Sequence, residues 1–306
     1  MAIAATDRPA HLAEVPQPSR RGRPTAGRVA AQLFMIAATI LWITPILFAI
    51  YVALRPITET NRLGYVSIAH HLTFKNFTEA WTQSDMWRYF WNSAIITVPA
   101  VVVTLLLASS VAFAVSRLGI KFNVALLVLF TAGNLLPQQV IITPLYRIYL
   151  QIHVPHFVSG NGLLYDSYAG LILINVSFQL GFCVFVLSNY MKTIPRDMDE
   201  AAIVDGASLW TRYWRLTLPL CRPALAALAT LLTTWIYNDF FWAITLMSTG
   251  NKRPITSALQ NLQGQFVTNQ NMISAAALMA AIPTLVVFVF LQKHFVAGLS
   301  LGSAKG

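Results

Sequence analysis

The chain has 306 residues, of which 56% are apolar and 10% charged, and its formal net charge is +10. At a mean hydropathy of +0.60 it has too few charges to cover a soluble globule of this size, so a membrane protein becomes the default class. The two cysteines, Cys183 and Cys221, fall in or beside apolar runs without a second pair, which excludes a disulfide framework and a thiolate metal site.

The first segment, residues 1–28, is rich in Pro, Arg and Ala and lacks periodicity, so a disordered basic tail is expected. The apolar run that follows is too long for the core of a cleaved leader and is expected to stay in place as a span. Six stretches pass the roughly 18-residue criterion for crossing about 30 Å of hydrocarbon. They are 29–54, 92–115, 124–145, 168–190, 223–247 and 272–291. In lipid every backbone polar group needs an internal partner, and runs this long and continuously apolar satisfy that as helices. The expected fold class is an all-α membrane protein, with a six-span transmembrane domain over residues 29–306.

Between the first two spans, the connection 55–91 carries Phe74, Phe77, Trp81, Trp87, Phe90 and Trp91 on an amphipathic stretch. That suits a helix lying at the lipid interface, or a surface that receives an outer partner. The next connection, 116–123, is short. In the third span Asn134 and Gln138 are four apart and share a face, as do Asn175 and Gln179 in the fourth. The connection joining those two spans contains His153 and His156, which lack a third ligand nearby and read as solvated loop residues.

The connection 191–222 is the longest on its side of the membrane. Pro195 suits a first helical turn, and Asp197, Asp199 and Glu200 sit where the positive end of a helix dipole favours acids. Gly206 offers a left-handed stop and Ser208 a cap, so the local chemistry predicts helix, sharp bend, helix. In the second helix Leu209, Trp210, Tyr213 and Trp214 share one face while Thr211, Arg212 and Arg215 take the other, and Pro219 ends it. The first helix, with small Ala201 and Ala202, reads as a docking knob; an interfacial helix that only links two spans fits the same residues equally well.

In the fifth span Asp239 is the one charge near mid-membrane, a placement that usually marks function or a pairing partner. Thr230, Thr234, Tyr237, Asn238 and Phe241 form a polar and aromatic stripe on one helical face. Aromatic stacking beside amides suits a neutral polyol such as a sugar, and helix-to-helix hydrogen bonding inside the bundle suits these residues as well. No G-x-x-x-x-G-K-[ST] occurs, so the chain does not cradle nucleotide itself. No paired Asp, Ser/Lys or H-E-x-x-H constellation lies in the spans, which argues against an intramembrane enzyme.

Orientation follows from the basic residues. With the N-terminus in the cytoplasm, most of the 21 Lys and Arg residues fall inside, among them Arg117, Lys192, Arg196, Arg212, Arg215 and Arg222. Both termini are then cytoplasmic, and the net positive charge needs no nucleic-acid partner.

The stretch EAAIVDGASLWTRYWRLTLP, residues 200–219, resembles the EAA loop of binding-protein-dependent ABC importer permeases. Glu200, Ala201, Ala202, Gly206, Leu218 and Pro219 match that pattern, Leu216 stands where Ile is usual, and Asp205 completes a D-G pair common in sugar importers. LLPQQVIITPLYRIYL, IPRDMDEAA and YNDFFWAI resemble the maltose-type carbohydrate branch, with Tyr237 where Trp is common; the outer connection HVPHFVSGNGLLYDSYAG is longer than usual there. The resemblance implies a type I importer permease core whose 191–222 loop couples to a partner ATPase dimer. It implies no cofactor in this chain, with ATP and Mg held by those ATPase subunits. It also implies a second homologous permease, an extracytoplasmic sugar-binding protein and a carbohydrate substrate, in a bacterial inner membrane. Asn134, Gln138, Asn175, Gln179, Thr234, Tyr237, Asn238, Asp239 and Phe241 are the candidate pathway residues. The rival readings are the same architecture carrying another solute, and an ion-coupled transporter using Asp239.

Overall fold

The computed structural model describes residues 26–118, 125, 127–129, 132, 137–262 and 269–300, and the chain divides into two compact units, Met1–Phe48 and Ala49–Gly306. The expected basic tail lies almost wholly outside the described residues, as do Asn134 and part of the third expected span. The described residues are helical throughout apart from loops and one isolated bridge between His153 and Leu163. Helix α1 (Ala26–Ala53) opens the chain. It is followed by α2 (Ile57–Leu63), α3 (Lys75–Gln83) and α4 (Met86–Arg117). A 3-10 turn (Gln138–Ile141) leads into α5 (Ile142–Gln151), and α6 (Tyr168–Thr193) comes next. The loop after it holds α7 (Arg196–Val204), α8 (Leu209–Thr211), a π-helical segment (Arg212–Thr217) and α9 (Leu218–Leu220). The chain ends with α10 (Arg222–Tyr237), α11 (Phe241–Leu246), α12 (Ile255–Ala258) and α13 (Gln270–Ser300).

Four of these helices, α1, α4, α6 and α13, are long and apolar enough to cross a membrane, and a fifth candidate is the pair Leu209–Leu220 and Arg222–Tyr237, bent by 72°. Three expectations are corrected. The second span starts at Met86 and not near residue 92, so the aromatic cluster Trp87, Phe90 and Trp91 belongs to the span itself. At about 1.5 Å per residue its 32 residues reach about 48 Å, well past the hydrocarbon thickness. The helix expected to end near residue 145 continues to Gln151. The stretch 223–247 is not one continuous helix, because α10 stops at Tyr237 and α11 starts at Phe241.

The core lies where α4 meets α6. Ala100, Thr104, Ala108 and Ala112 repeat every four residues on α4 and are fully buried, so a row of small side chains lets the two backbones approach. Leu171, Ile174, Cys183, Val184, Leu187 and Met191 of α6 fill the facing row. Ser167 caps α6 by accepting from the Gly170 amide at 3.0 Å. Gly170 must be glycine, since a Cβ there would stand 2.5 Å from the Leu164 carbonyl.

Two polar clamps hold the loops beside α2 and before α6. Arg55 is fully buried and donates to the Gly64 carbonyl at 2.7 Å, to Ser67 Oγ at 2.5 Å and to Glu59 at 3.3 Å. The Arg55 carbonyl in turn accepts from Asn76 and Asn271, each at 2.8 Å. In the second clamp, Asp166 accepts from the amides of Ser248 and Thr249 at 2.9 Å and lies 3.3 Å from the Lys252 ammonium. Burial acts to raise the Asp166 carboxyl, but the Thr249 bonds and the Lys252 charge outweigh it and hold its pKa below the usual carboxylate value.

Candidate functional site

A cavity of about 320 Å³ lies where α6, the end of α10, the start of α11 and the 3-10 turn before α5 converge, lined by Gln138, Asn175, Phe178, Gln179, Thr234, Trp235, Asn238, Asp239 and Trp242. Asn175 and Gln179 sit one turn apart on α6 and face it together. From α10, Thr234 and Asn238 face it for the same reason. Asp239 stands at the break. Its Oδ1 accepts from the Trp242 amide at 3.1 Å and so caps α11, while its Oδ2 accepts from Asn175 Nδ2 at 3.2 Å. The Asn238 amide turns back to the Thr234 carbonyl at 2.8 Å. The break between α10 and α11 is therefore what brings a carboxylate, amides and aromatic rings to one wall.

The structure gathers Gln138, Asn175, Gln179, Thr234, Asn238 and Asp239 from the sequence candidates, and Asn134 lies outside the described residues. Tyr237 and Phe241 do not line this cavity. Tyr237 is still within α10 and turns to the side that meets α13, whereas Phe241 comes after the break, where α11 starts a new register. The Tyr237 hydroxyl donates to the Ala280 carbonyl of α13 at 3.0 Å, and its ring borders a separate, nearly apolar cavity with Trp87, Trp91 and Pro283. Phe241 packs edge-on against Trp242, 5.0 Å between centroids. Sequence reasoning missed Phe178, Trp235 and Trp242. Each lies three or four residues from an amide already singled out, so the helical register could have added them. The Phe178 and Trp242 rings meet at a tilt of 38° with centroids 5.4 Å apart, and the buried Trp242 Nε1 has no hydrogen-bond partner among the described residues. Such a wall offers hydrogen-bond donors and acceptors beside flat apolar faces.

The second feature is the loop between α6 and α10. Pro195 precedes α7, whose first turn holds Asp197 and Asp199, and the helix ends at Asp205. Gly206 follows at φ 76°, and the Ala207 amide closes back on the Ala202 carbonyl at 2.9 Å, a left-handed stop of the expected kind. Ser208 caps α8 by accepting from the Thr211 amide at 3.2 Å. Glu200, Ala201, Asp205 and Gly206 are exposed, Ala202 is half-buried, and the apolar Met198, Ile203 and Val204 are 41%, 52% and 86% exposed. Leu216, Leu218 and Pro219 are half-buried at the far end of the loop, and the 72° bend falls after Leu220 and not at Pro219.

One expectation for this loop is overturned. Arg212 is expected on the face opposite Tyr213, yet both are buried. The segment Arg212–Thr217 is π-helical, and i→i+5 bonding turns successive side chains through a smaller angle than an α-helix does. Arg212 and Tyr213 therefore share the inner side. Arg212 Nε donates to Asp199 Oδ1 at 2.9 Å, and the Tyr213 hydroxyl shares a 2.7 Å hydrogen bond with Ser109 of α4. No group of three metal-ligating side chains occurs among the described residues, and the His153 ring bonds to the Gln151 carbonyl at 3.0 Å.

Residues 83–301 match the family described as binding-protein-dependent transport system inner membrane component. The melibiose/raffinose/stachyose import permease protein MelC of Bacillus subtilis (strain 168) is 31% identical over 236 residues, 77% of this chain and 82% of its own length. The alpha-glucoside transport system permease protein AglG of Rhizobium meliloti (strain 1021) is 32% identical over 235 residues, 76% of this chain and 60% of its own length. Among solved structures, a chain of a bacterial ABC transporter involved in the import of the acidic polysaccharide alginate superposes with a TM-score of 0.72 at 22% identity. That match covers 88% of this chain and 96% of the other, and it is a likeness of fold.

Proposed function

We propose, from the premise that this chain belongs to the binding-protein-dependent transport system inner membrane component family, that it forms half of the pathway of an ATP-driven sugar importer. The chain is a multi-pass inner-membrane permease subunit, and with that family shown, ion coupling through Asp239 is set aside. The proposal is a six-span subunit with both termini in the cytoplasm, paired with a second homologous permease. Two ATPase copies carry ATP and Mg, and a binding protein outside delivers the sugar.

The observation that carries the sugar reading is the cavity at the break in the fifth span. Gln138, Asn175, Gln179, Thr234 and Asn238 supply amide and hydroxyl groups, and Phe178, Trp235 and Trp242 supply rings for the flat faces of a pyranose. Asp239 is the one charged side chain among its described lining residues, which favours a neutral sugar, since an anion would meet an uncompensated carboxylate in a low dielectric. The saccharide import named for MelC and AglG supports the same substrate class.

In this reading α7 is the coupling helix. Met198, Ile203 and Val204 are apolar, exposed and outside the spans, which suits insertion into a groove on the ATPase. ATP binding would close the ATPases, draw the two coupling segments together and turn the cavity from inward to outward facing. Glu200 supplies a polar contact, Ala201 and Ala202 a close fit, and Asp205 with Gly206 the bend; Leu216, Leu218 and Pro219 carry the motion toward α10.

The test is reconstitution of the full complex in liposomes. Labelled neutral oligosaccharide is expected to enter only with ATP and the binding protein, and Glu200→Lys and Gly206→Pro are expected to hydrolyse ATP without transport. Normal uptake in both variants would count against the coupling assignment.

A further inference from the structure

Asp199 is the one residue of α7 that is buried, although a carboxylate on a short cytoplasmic helix would ordinarily stay in water. It faces Arg212, which opens the π-helical segment. Arg212 Nε donates to Asp199 Oδ1 at 2.9 Å, and a terminal guanidinium nitrogen donates to Oδ2. Two parallel bonds fix orientation as well as distance. Such a buried pair adds little net stability, because desolvation offsets most of the attraction, so its contribution is geometric.

The next residue extends the connection. The Tyr213 ring lies 5.4 Å from Phe113, and its hydroxyl bonds Ser109 at 2.7 Å and accepts from Ser110 at 3.2 Å, all on α4. At the other end of α7, Arg117 at the end of α4 donates to the Met191 and Ile194 carbonyls at 2.8 and 3.1 Å. Helix α7 is thus tied to α4 on both sides: through Arg117 where the chain enters it, and through Asp199, Arg212 and Tyr213 where the chain leaves. Coupling between distant sites travels through contiguous packed and hydrogen-bonded groups of this kind.

We propose that the Asp199–Arg212 ion pair is a strut that makes α7 and the π-helical segment move as one body, so that a push on α7 reaches α4 at Ser109 through Tyr213. Asp199 and Arg212 are positioning residues: they touch neither sugar nor nucleotide. The strut rests on the function proposed above, since it needs an ATPase to push α7.

The test uses the complete complex in liposomes and reads sugar carried per ATP hydrolysed. If the unaltered protein shows no ATP-dependent uptake, the proposed function fails and the strut with it. Where the unaltered protein is active, Asp199→Asn and Arg212→Gln are expected to assemble in normal yield, keep basal ATP hydrolysis and lose about tenfold in sugar per ATP. An unchanged ratio in both variants overturns the strut alone. A second measurement does not depend on how well those variants fold. Asp199→Cys combined with Arg212→Cys, in a protein whose Cys183 and Cys221 are replaced by Ala, is bridged by a bifunctional thiol reagent. Restored coupling after bridging is expected of one rigid body. Transport abolished by the bridge would mean that the two elements must separate in each cycle, and would overturn the proposal.

Discussion

Asn175 on α6 donates its side-chain amide to Asp239 Oδ2 across 3.2 Å, joining α6 to the break between α10 and α11. The other oxygen of the same carboxylate caps α11 through the Trp242 amide. Asp239 therefore holds open the wall of the cavity as well as charging it.

Those two tasks separate by substitution. Asp239→Asn keeps an acceptor for the Trp242 amide and removes the charge, so the folded protein is expected to persist while neutral and acidic oligosaccharides become less well distinguished in uptake assays. Asp239→Leu removes both acceptors and leaves two buried donors unsatisfied, an expected loss of about 1–3 kcal/mol. Thermal unfolding in detergent checks the second variant; equal unfolding temperatures for both would refute the capping role.

The Asp166 clamp predicts a pH dependence. Its folded pKa is held below the ordinary carboxylate value of about 3.9. A depressed folded value means the stabilisation is fully present above about pH 4 and lost as pH falls through the lowered folded value. The loop 152–167 is expected to become a pepsin substrate in that acid window and to resist above it. Asp166→Asn should loosen the loop at neutral pH and remove the acid step, because the Lys252 ion pair is gone at every pH.

Much of this arrangement was legible in the residues. The bend at Gly206, the cap at Ser208 and the facing of Asn175 with Gln179 follow from local rules, with no need of the tertiary structure. That Tyr237 and Phe241 stand off this cavity was not legible: Tyr237 turns to Ala280 and Phe241 follows a helix break that a run of apolar residues conceals, and the Asp239 to Asn175 contact beside that break is one that sequence spacing does not encode. Arg212 was misjudged because a π-helical register is set by burial of Tyr213 against α4, and an α-helical wheel places both residues wrongly.

The clamp around Arg55 gives a stability prediction. Asn271 is fully buried and donates to the Val52 and Arg55 carbonyls and to Thr60 Oγ1 at 3.0, 2.8 and 2.9 Å. Asn271→Leu keeps the volume but removes all three bonds; the Arg55 carbonyl keeps Asn76 and the Val52 carbonyl keeps the Arg55 amide, while Thr60 Oγ1 loses its donor, so a loss of about 1–3 kcal/mol is expected, read as a lower thermal midpoint in detergent. Gln270→Leu, at the exposed neighbouring position outside the clamp, serves as the control and is expected to move the midpoint far less.

The turn after α7 permits a prediction in which backbone conformation alone is at issue. Gly206 holds φ at 76°, and an added Cβ would meet nothing within 4 Å, so any penalty comes from the left-handed conformation and not from a clash. Non-glycine residues in that region cost roughly 1–2 kcal/mol, and Asn tolerates it better than Ala or a β-branched residue. Sugar carried per ATP hydrolysed should therefore fall in the order Gly206→Asn, Gly206→Ala, Gly206→Val, while assembly of the complex stays constant. A ranking by side-chain volume, with Ala less harmful than Asn, would show that the ATPase groove is reading the surface at this position and that the bend is not what matters.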